Sequence, residues 1–128
     1  MTGELRGCLL DTNVVIGVLK ELTPAMEMLR SVGNDTPLAY SAITRMELMG
    51  YPGLTAEEGA AIESTLATMT YMGLTHAIED RAIVLRQNHR IKLPDAIIAA
   101  TALEYSYRLL TLDEALAAVF ATVSEPRS

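Results

Sequence analysis

Four short apolar segments, each followed by a signal for the start of a helix, constrain the fold of this chain more than any other feature. The segments cover residues 7–10, 37–40, 70–74 and 107–111, and residues 120–123 are a candidate for a fifth. Runs of this length that are bounded by turn or cap residues are typical of buried strands. Because strands that alternate with helices pair in parallel, the order predicts an α/β fold. We expect a three-layer α/β/α sandwich around a mostly parallel sheet of four or five strands.

The predicted helices begin at residues that cap free backbone N–H groups. Thr55 and Glu58 have the spacing of a capping box, in which the hydroxyl and the carboxylate each accept from the other residue's backbone. The stretch 96–103 is apolar nearly all round, which is typical of a helix buried among other elements. The helices are predicted to start after Asp11, and to run from Thr23 to about Arg30, from Ser41 to Met49, over 56–68, from Thr75 to about Asn88, from Pro94 and from Asp113.

Length and composition indicate a single domain over residues 1–128. Half of the residues are apolar, which separates this chain from disordered sequences. The single cysteine, Cys8, excludes an internal disulfide framework and a cysteine-based zinc site, and it favours a reducing compartment. No apolar stretch reaches the ~18 residues of a membrane span, and Glu4 and Asp11 interrupt the region where a signal peptide would be apolar. We therefore expect a cytoplasmic protein with no membrane partner.

Four acidic residues stand where the predicted elements would bring them together. Asp11 and Asp113 directly follow apolar strands. Asp95 opens the buried helix, and Glu47 lies among apolar neighbours in the helix after the second strand. The carboxyl ends of parallel strands meet at one edge of the sheet, where α/β folds bind their ligands. Taken singly, each acid also has an ordinary explanation as a helix cap, a first-turn residue or part of a solvated helix face.

A cluster of these four carboxylates requires a compensating positive charge, because acids in a poorly solvated pocket repel one another. Oxygen ligands favour Mg²⁺ or Mn²⁺ over zinc. Such an ion activates water and stabilises developing charge in phosphodiester hydrolysis, which is the reaction class that the acids predict. Other chemistries have little support, since the chain has no GxGxxG or Walker loop and no G-x-S-x-G elbow.

Around these acids the sequence resembles the PIN-domain family of metal-dependent ribonucleases, and within it the VapC-type toxins of toxin–antitoxin pairs. Four stretches carry the resemblance, in the family's order and approximate spacing: LLDTN at 9–13, SAITRMEL at 41–48, LPDAIIAATAL at 93–103 and LLTLD at 109–113. The resemblance implies a PIN-like fold and an endoribonuclease that leaves a 5′ phosphate and a 3′ hydroxyl. It implies that one or two Mg²⁺ or Mn²⁺ ions are held by Asp11, Glu47, Asp95 and Asp113.

The same resemblance implies roles for neighbouring polar residues and for partners. Thr12, Asn13 and Thr111 would hydrogen-bond the carboxylates or the waters on the metal. VapC-type proteins are usually homodimers, and a small VapB-like antitoxin holds them inactive with a C-terminal segment across the acidic groove. After Asp113 this chain departs from many relatives, because only Glu114 offers a further acid there. That departure bears on whether a second metal ion binds.

The distribution of charge qualifies the acidic balance of the whole chain. A net charge of −6 argues, taken alone, against a nucleic-acid partner. However, residues 46–80 contain six acids and no Lys or Arg, whereas residues 81–92 contain four bases and no acid. We predict that a basic set borders the groove and contacts RNA phosphates, with a solvated helix face as the alternative. The set consists of Arg45, Arg86, Arg90 and Lys92.

Two other functions remain open from the residues alone. A PIN-like module that binds RNA or a partner protein without cutting would share all four stretches. A receiver-type signalling domain has similar size, acidity and element order, but it requires paired acids after the first strand and a lysine after the fifth. Here Asp11 stands alone, and Lys20 and Lys92 are the only lysines.

Overall fold

Four parallel strands form a single sheet. They are β1 (Cys8–Leu10), β2 (Leu38–Ser41), β3 (Thr70–Met72) and β4 (Arg108–Leu110). The computed structural model describes residues 5–124, and over these residues the strand order is β3-β2-β1-β4. Leu9 of β1 pairs in parallel with Ala39 on one side and with Leu109 on the other. The predicted parallel sheet is confirmed, with strand ends within about two residues of the predicted ones.

Seven helices lie between and after the strands within residues 5–124. They are α1 (Thr12–Leu19), α2 (Thr23–Val32), α3 (Ala42–Met49), α4 (Ala56–Leu66), α5 (His76–Asn88), α6 (Leu93–Tyr105) and α7 (Glu114–Val123). The capping box is present, since Thr55 and Glu58 each accept a 3.0 Å hydrogen bond from the other's backbone N–H. In this part of the chain no helix has both the length and the apolar surface that crossing a bilayer requires.

Apolar side chains on the two faces of the sheet belong to two separate cores. Leu9 packs in a core with α5, α6 and α7, to which Ile98 and Phe120 contribute. Cys8 and Leu10 pack in the other core, which contains residues from α1, α2, α3 and α4. Successive strand residues therefore alternate between the two faces. This arrangement confirms the three-layer α/β/α sandwich.

The prediction of a fifth strand at 120–123 is wrong, because these residues form the end of α7. Leu116 and Phe120 are buried and Val123 is partly buried in the same core. Their spacing of four and three residues is the period of one helix face. The four residues of the segment are compatible with a strand, whereas the helical period becomes visible only over the ten residues of α7. The described part of the chain therefore has four strands.

The start of α1 is fixed at the junction of β1 and β4. Leu10 pairs with Leu110, and the backbone N–H of Asp11 donates to the Leu110 carbonyl at 2.9 Å. Further along α1, a Cβ atom on Gly17 would lie 2.5 Å from the Cβ of Ala25 in α2, so glycine permits this close helix approach. The first residues of α1 are thereby held at the carboxyl edge of the sheet.

Candidate active site at the carboxyl edge of the sheet

Asp11 is the buried member of the acidic cluster, with 5% of its surface exposed. Its Oδ1 accepts from the backbone N–H of Thr12 at 2.7 Å, and its Oδ2 accepts from the hydroxyl of Thr111 at 2.6 Å. Burial raises the pKa of the Asp11 carboxyl, and these two hydrogen bonds offset part of that rise. The neighbouring charges of Glu47 and Asp113 raise the pKa further. Asp11 is therefore both the cap of α1 and a carboxylate close to two others.

Asp113 caps α7 beside Asp11. Its Oδ1 accepts from the backbone N–H groups of Ala115 and Leu116, at 2.9 and 3.2 Å. The hydroxyl of Thr111 accepts from the Asp113 backbone N–H at 3.0 Å while it donates to Asp11. One threonine thus contacts both aspartates and fixes the spacing between the ends of β1 and β4.

Asn13 joins the same junction without contacting a carboxylate. Its Nδ2 donates to the Thr111 hydroxyl at 3.5 Å, and its Oδ1 accepts from the Leu112 backbone N–H at 3.1 Å. The amide therefore ties α1 to the loop between β4 and α7. Of the three polar residues singled out from the sequence, Thr12 and Thr111 bond carboxylates directly and Asn13 acts through Thr111.

Asp95 lies in the first turn of α6 and is half-buried. Burial is the main cause that raises the pKa of Asp95, and the charges of three other acids raise it further. Those acids, in decreasing order of effect, are Asp11, Asp113 and Glu47. Because each of these charges is close enough to oppose ionisation of Asp95, the four acids form one electrostatic cluster.

Glu47 reaches the cluster from α3. Its side chain is exposed, and its Oε1 accepts from the hydroxyl of Thr12 at 2.6 Å. This bond joins α3 to the start of α1 across 35 positions of sequence. The position that was inferred from the spacing after β2 therefore does return Glu47 to the edge of the sheet.

Two buried hydroxyl residues at the start of α3 are not among the candidates from the sequence. Ser41 and Thr44 each have 0% of their surface exposed. Ser41 caps α3 and accepts from the Thr44 backbone N–H at 3.2 Å, and the Thr44 hydroxyl lies 3.0 Å from that of Thr12. The available signal is an N-cap serine with a threonine three residues later and Glu47 three residues after that.

The basic residues that were predicted to border the groove are all exposed. Lys92 is the one whose charge lowers the pKa of Asp95, so it lies near the acids. Arg86 donates from Nε to the Ile91 carbonyl at 3.4 Å and lines an open groove of about 450 Å³ between α5 and α6. Arg81, in the same run, instead pairs with Glu104 at 2.7 Å. Arg90 and Arg45 stand on the surface.

The donor set at this edge suits a hard divalent cation. Within residues 5–124, no group of three or more Asp, Glu, His or Cys side chains is placed so that it could hold a metal ion by itself. Mg²⁺ does not require such a group, because it keeps several waters and takes one or two protein carboxylates. All the clustered groups are carboxylates and hydroxyls, and burial raises the pKa of the Cys8 thiol, which disfavours a thiolate ligand. The residues present fit Mg²⁺ or a similar ion that binds partly through water.

Residues 8–120 match the PIN-domain family. The chain belongs to this family. The match includes all four acids and the strands that position them, so the PIN-like fold expected from the sequence is confirmed. PIN domains are nucleases that depend on a metal ion, and the acidic edge is where this chain has the chemistry for one.

Individual PIN-domain relatives are similar over most of the chain. Ribonuclease VapC10 of Mycobacterium tuberculosis is 34% identical over 110 residues, which are 82% of this chain and 81% of that protein. A chain from a toxin–antitoxin complex of Klebsiella pneumoniae is 31% identical, with a TM-score of 0.74 over 84% of this chain and 87% of that one. A chain of VapBC2 from Rickettsia felis, solved with a fragment of promoter DNA, is 16% identical with a TM-score of 0.73. The match covers 88% of this chain and 92% of the Rickettsia felis chain, and at 16% identity it supports the fold alone.

We expect Asp11→Asn to raise the melting temperature of the metal-free protein at pH 7. The raised pKa of Asp11 means that its ionised form is held at a cost in the folded state. Asparagine removes the charge and keeps an oxygen for the Thr12 N–H, but it no longer accepts from the Thr111 hydroxyl, which offsets part of the gain. The gain should shrink as the pH falls through the raised pKa of folded Asp11 and vanish near the value of an ordinary aspartate, about 3.9, below which Asp11 is protonated in both states. Calorimetric melting curves between pH 3 and pH 7 measure this.

The exposed Asp35 provides the matched control, and Asp35→Asn should leave the melting temperature nearly unchanged at each pH. An Asp11→Asn protein that melts below wild type at neutral pH without metal would contradict this account of the cluster.

Proposed function

We propose that this PIN-domain protein is a metal-dependent endoribonuclease of the VapC type, acting as the toxin of a VapBC-like toxin–antitoxin pair. The observation that carries the proposal is the electrostatic cluster of four acids at the carboxyl edge, within a fold whose 34%-identical relative is named a ribonuclease. The substrate is RNA, and the bond hydrolysed is a phosphodiester. The cytosol is the compartment in which such an enzyme meets its substrate.

The proposed metal ligands are the acids of the cluster. Asp11, Asp95 and Asp113 would hold Mg²⁺ or Mn²⁺ at this edge, partly through water, with Glu47 as a further ligand or as the proton acceptor. When bound, the ion supplies an activated water and stabilises the charge that develops on the scissile phosphate. It also relieves the repulsion that raises the pKa values of Asp11 and Asp95.

The chain's own hydrogen bonds assign different oxygens to different tasks. Thr111 and the Thr12 backbone hold the two oxygens of Asp11 in place. Asp113 uses Oδ1 to cap α7, which leaves Oδ2 for the cation. Glu47 receives the Thr12 hydroxyl on Oε1, so Oε2 is the oxygen that we assign to take a proton from the attacking water.

The partners of the protein follow from its relatives and its surface. A structure that is 31% identical to this chain comes from a toxin–antitoxin complex, so we propose a VapB-like antitoxin as the inhibitor of this chain. Several large apolar side chains have more than a third of their surface exposed, and they could contribute to that interface and to a homodimer. They include Met46, Tyr51, Leu93 and Leu112.

Cleavage of RNA tests the function directly. We expect the purified protein to cut RNA with Mg²⁺ or Mn²⁺ and to stop when EDTA removes the ion. Asp95→Asn should lower the rate about 100-fold or more, because metal catalysis contributes several kcal/mol to transition-state stabilisation. Asp35→Asn is the matched control. Wild-type protein that binds RNA without cutting it at any metal concentration would instead support the non-catalytic binding module.

RNA affinity tests the basic surface. We expect the double variant Arg86→Glu with Arg90→Glu to bind RNA more weakly than wild type. The slope of log affinity against log salt should fall by about one for each phosphate contact that is lost. Arg30→Glu, on the exposed end of α2, reverses one charge away from this surface and is compared with each of the single variants Arg86→Glu and Arg90→Glu. An unchanged affinity and an unchanged salt slope would assign Arg86 and Arg90 to an ordinary solvated helix face.

A further inference from the structure

Thr44 is a buried hydroxyl residue that faces the acidic cluster without touching a carboxylate. It lies in the first turn of α3, three residues before Glu47, with 0% of its surface exposed. Residues three apart share one face of a helix, so Thr44 and Glu47 both face the start of α1. Both contact the hydroxyl of Thr12, at 3.0 Å from the Thr44 hydroxyl and 2.6 Å from Glu47 Oε1.

The direction of these two hydrogen bonds follows from counting hydrogens. Thr12 has one hydroxyl hydrogen, and an ionised carboxylate accepts but cannot donate. The short bond to Glu47 therefore uses the Thr12 hydrogen. Thr44 must then be the donor in its bond to Thr12, and the chain runs from Thr44 to Thr12 to Glu47.

The surroundings of Thr44 leave its hydroxyl free for this task. A threonine within a helix commonly donates to the carbonyl four residues earlier, as Thr101 does to Ile97 at 2.7 Å. Four residues before Thr44 the chain is still in β2, so α3 offers no such carbonyl. The Thr44 backbone N–H is held by Ser41, and a β-branched side chain has few rotamers. The donor is consequently fixed in direction.

We propose that Thr44 is a positioning residue for the reaction. Through the Thr12 hydroxyl it fixes the position of the Glu47 carboxylate. This inference rests on the proposed nuclease function. Glu47 is exposed and has three rotatable side-chain bonds, so without a fixed donor its carboxylate would sample several positions. The buried Thr44 aligns the Thr12 hydroxyl, the hydroxyl holds Oε1, and Oε2 is thereby placed for the proton of the attacking water.

The experiment compares Thr44→Val, which keeps the shape and removes the hydroxyl, with Thr44→Ser, which keeps the hydroxyl. Removal of a partner that orients a functional group typically costs 10- to 100-fold in activity. We expect Thr44→Val to lower kcat about 10-fold or more with little change in KM, and Thr44→Ser to restore most of it. Thr101→Val, which also deletes a buried hydroxyl, should leave kcat within about twofold of wild type.

The claim that Thr44 acts through Thr12 has its own signature. In a Thr12→Val protein, adding Thr44→Val should lower kcat no further, because the relay is already broken. The inference would be overturned if the loss of kcat in the double variant were the product of the fold-losses in the two single variants. It would also be overturned if Thr44→Ser lost as much kcat as Thr44→Val.

A second readout does not depend on catalysis. The ¹³C chemical shift of the Glu47 carboxyl in metal-free protein should move in Thr44→Val and in Thr12→Val, with no further movement in the double variant. A Glu47 signal that is unchanged in Thr44→Val would overturn the inference even if the protein cleaves RNA. If the wild-type protein does not cleave RNA, the proposed function fails, while this signal still reports whether Thr44 positions Glu47.

Discussion

The carboxylate of Asp11 is buried where β1 ends, and the hydrogen bond from Thr111 to its Oδ2 spans 100 positions of sequence. That contact exists because β1 and β4 lie side by side in register, with Leu10 opposite Leu110. The same aspartate starts α1 by accepting from the Thr12 backbone. The register of β1 and β4, the start of α1 and the acidic site therefore all involve the side chain of Asp11, and the other three acids lie near it.

Clustering of these acids lowers the stability of the metal-free fold, and the proposed function gives a reason for it. Ionised carboxylates that are close and poorly solvated raise one another's pKa, as burial and neighbouring charge do for Asp11 and Asp95. Threonine hydroxyls and helix N-termini supply partial compensation. In the proposed function a divalent cation would supply the remainder, so the arrangement that destabilises the metal-free site is the one that would favour metal binding.

The residues that could be predicted from the sequence are those with a local signal. Asp11 and Asp113 follow apolar strands, so both a capping role and a place at the sheet edge could be inferred, and the structure gives each residue both. The error at 120–123 arose because four residues cannot distinguish a strand from the end of a helix with its buried face at Leu116 and Phe120. Thr44 could not be assigned a role from the sequence, because its partner, Thr12, is brought to it only by the packing of α1 against α3. The spacing of Ser41, Thr44 and Glu47 places them on one side of the helix, but the direction of the Thr44 hydroxyl depends on tertiary structure.

The most direct test of the central claim is the position of the metal ion. Anomalous X-ray diffraction from crystals soaked in Mn²⁺ locates the ion independently of any activity. We predict an Mn²⁺ peak at the carboxyl edge, about 2 Å from an oxygen of at least one of the four clustered acids, with water completing its coordination. An Mn²⁺ peak only elsewhere on the protein, with none at this edge, would contradict the account.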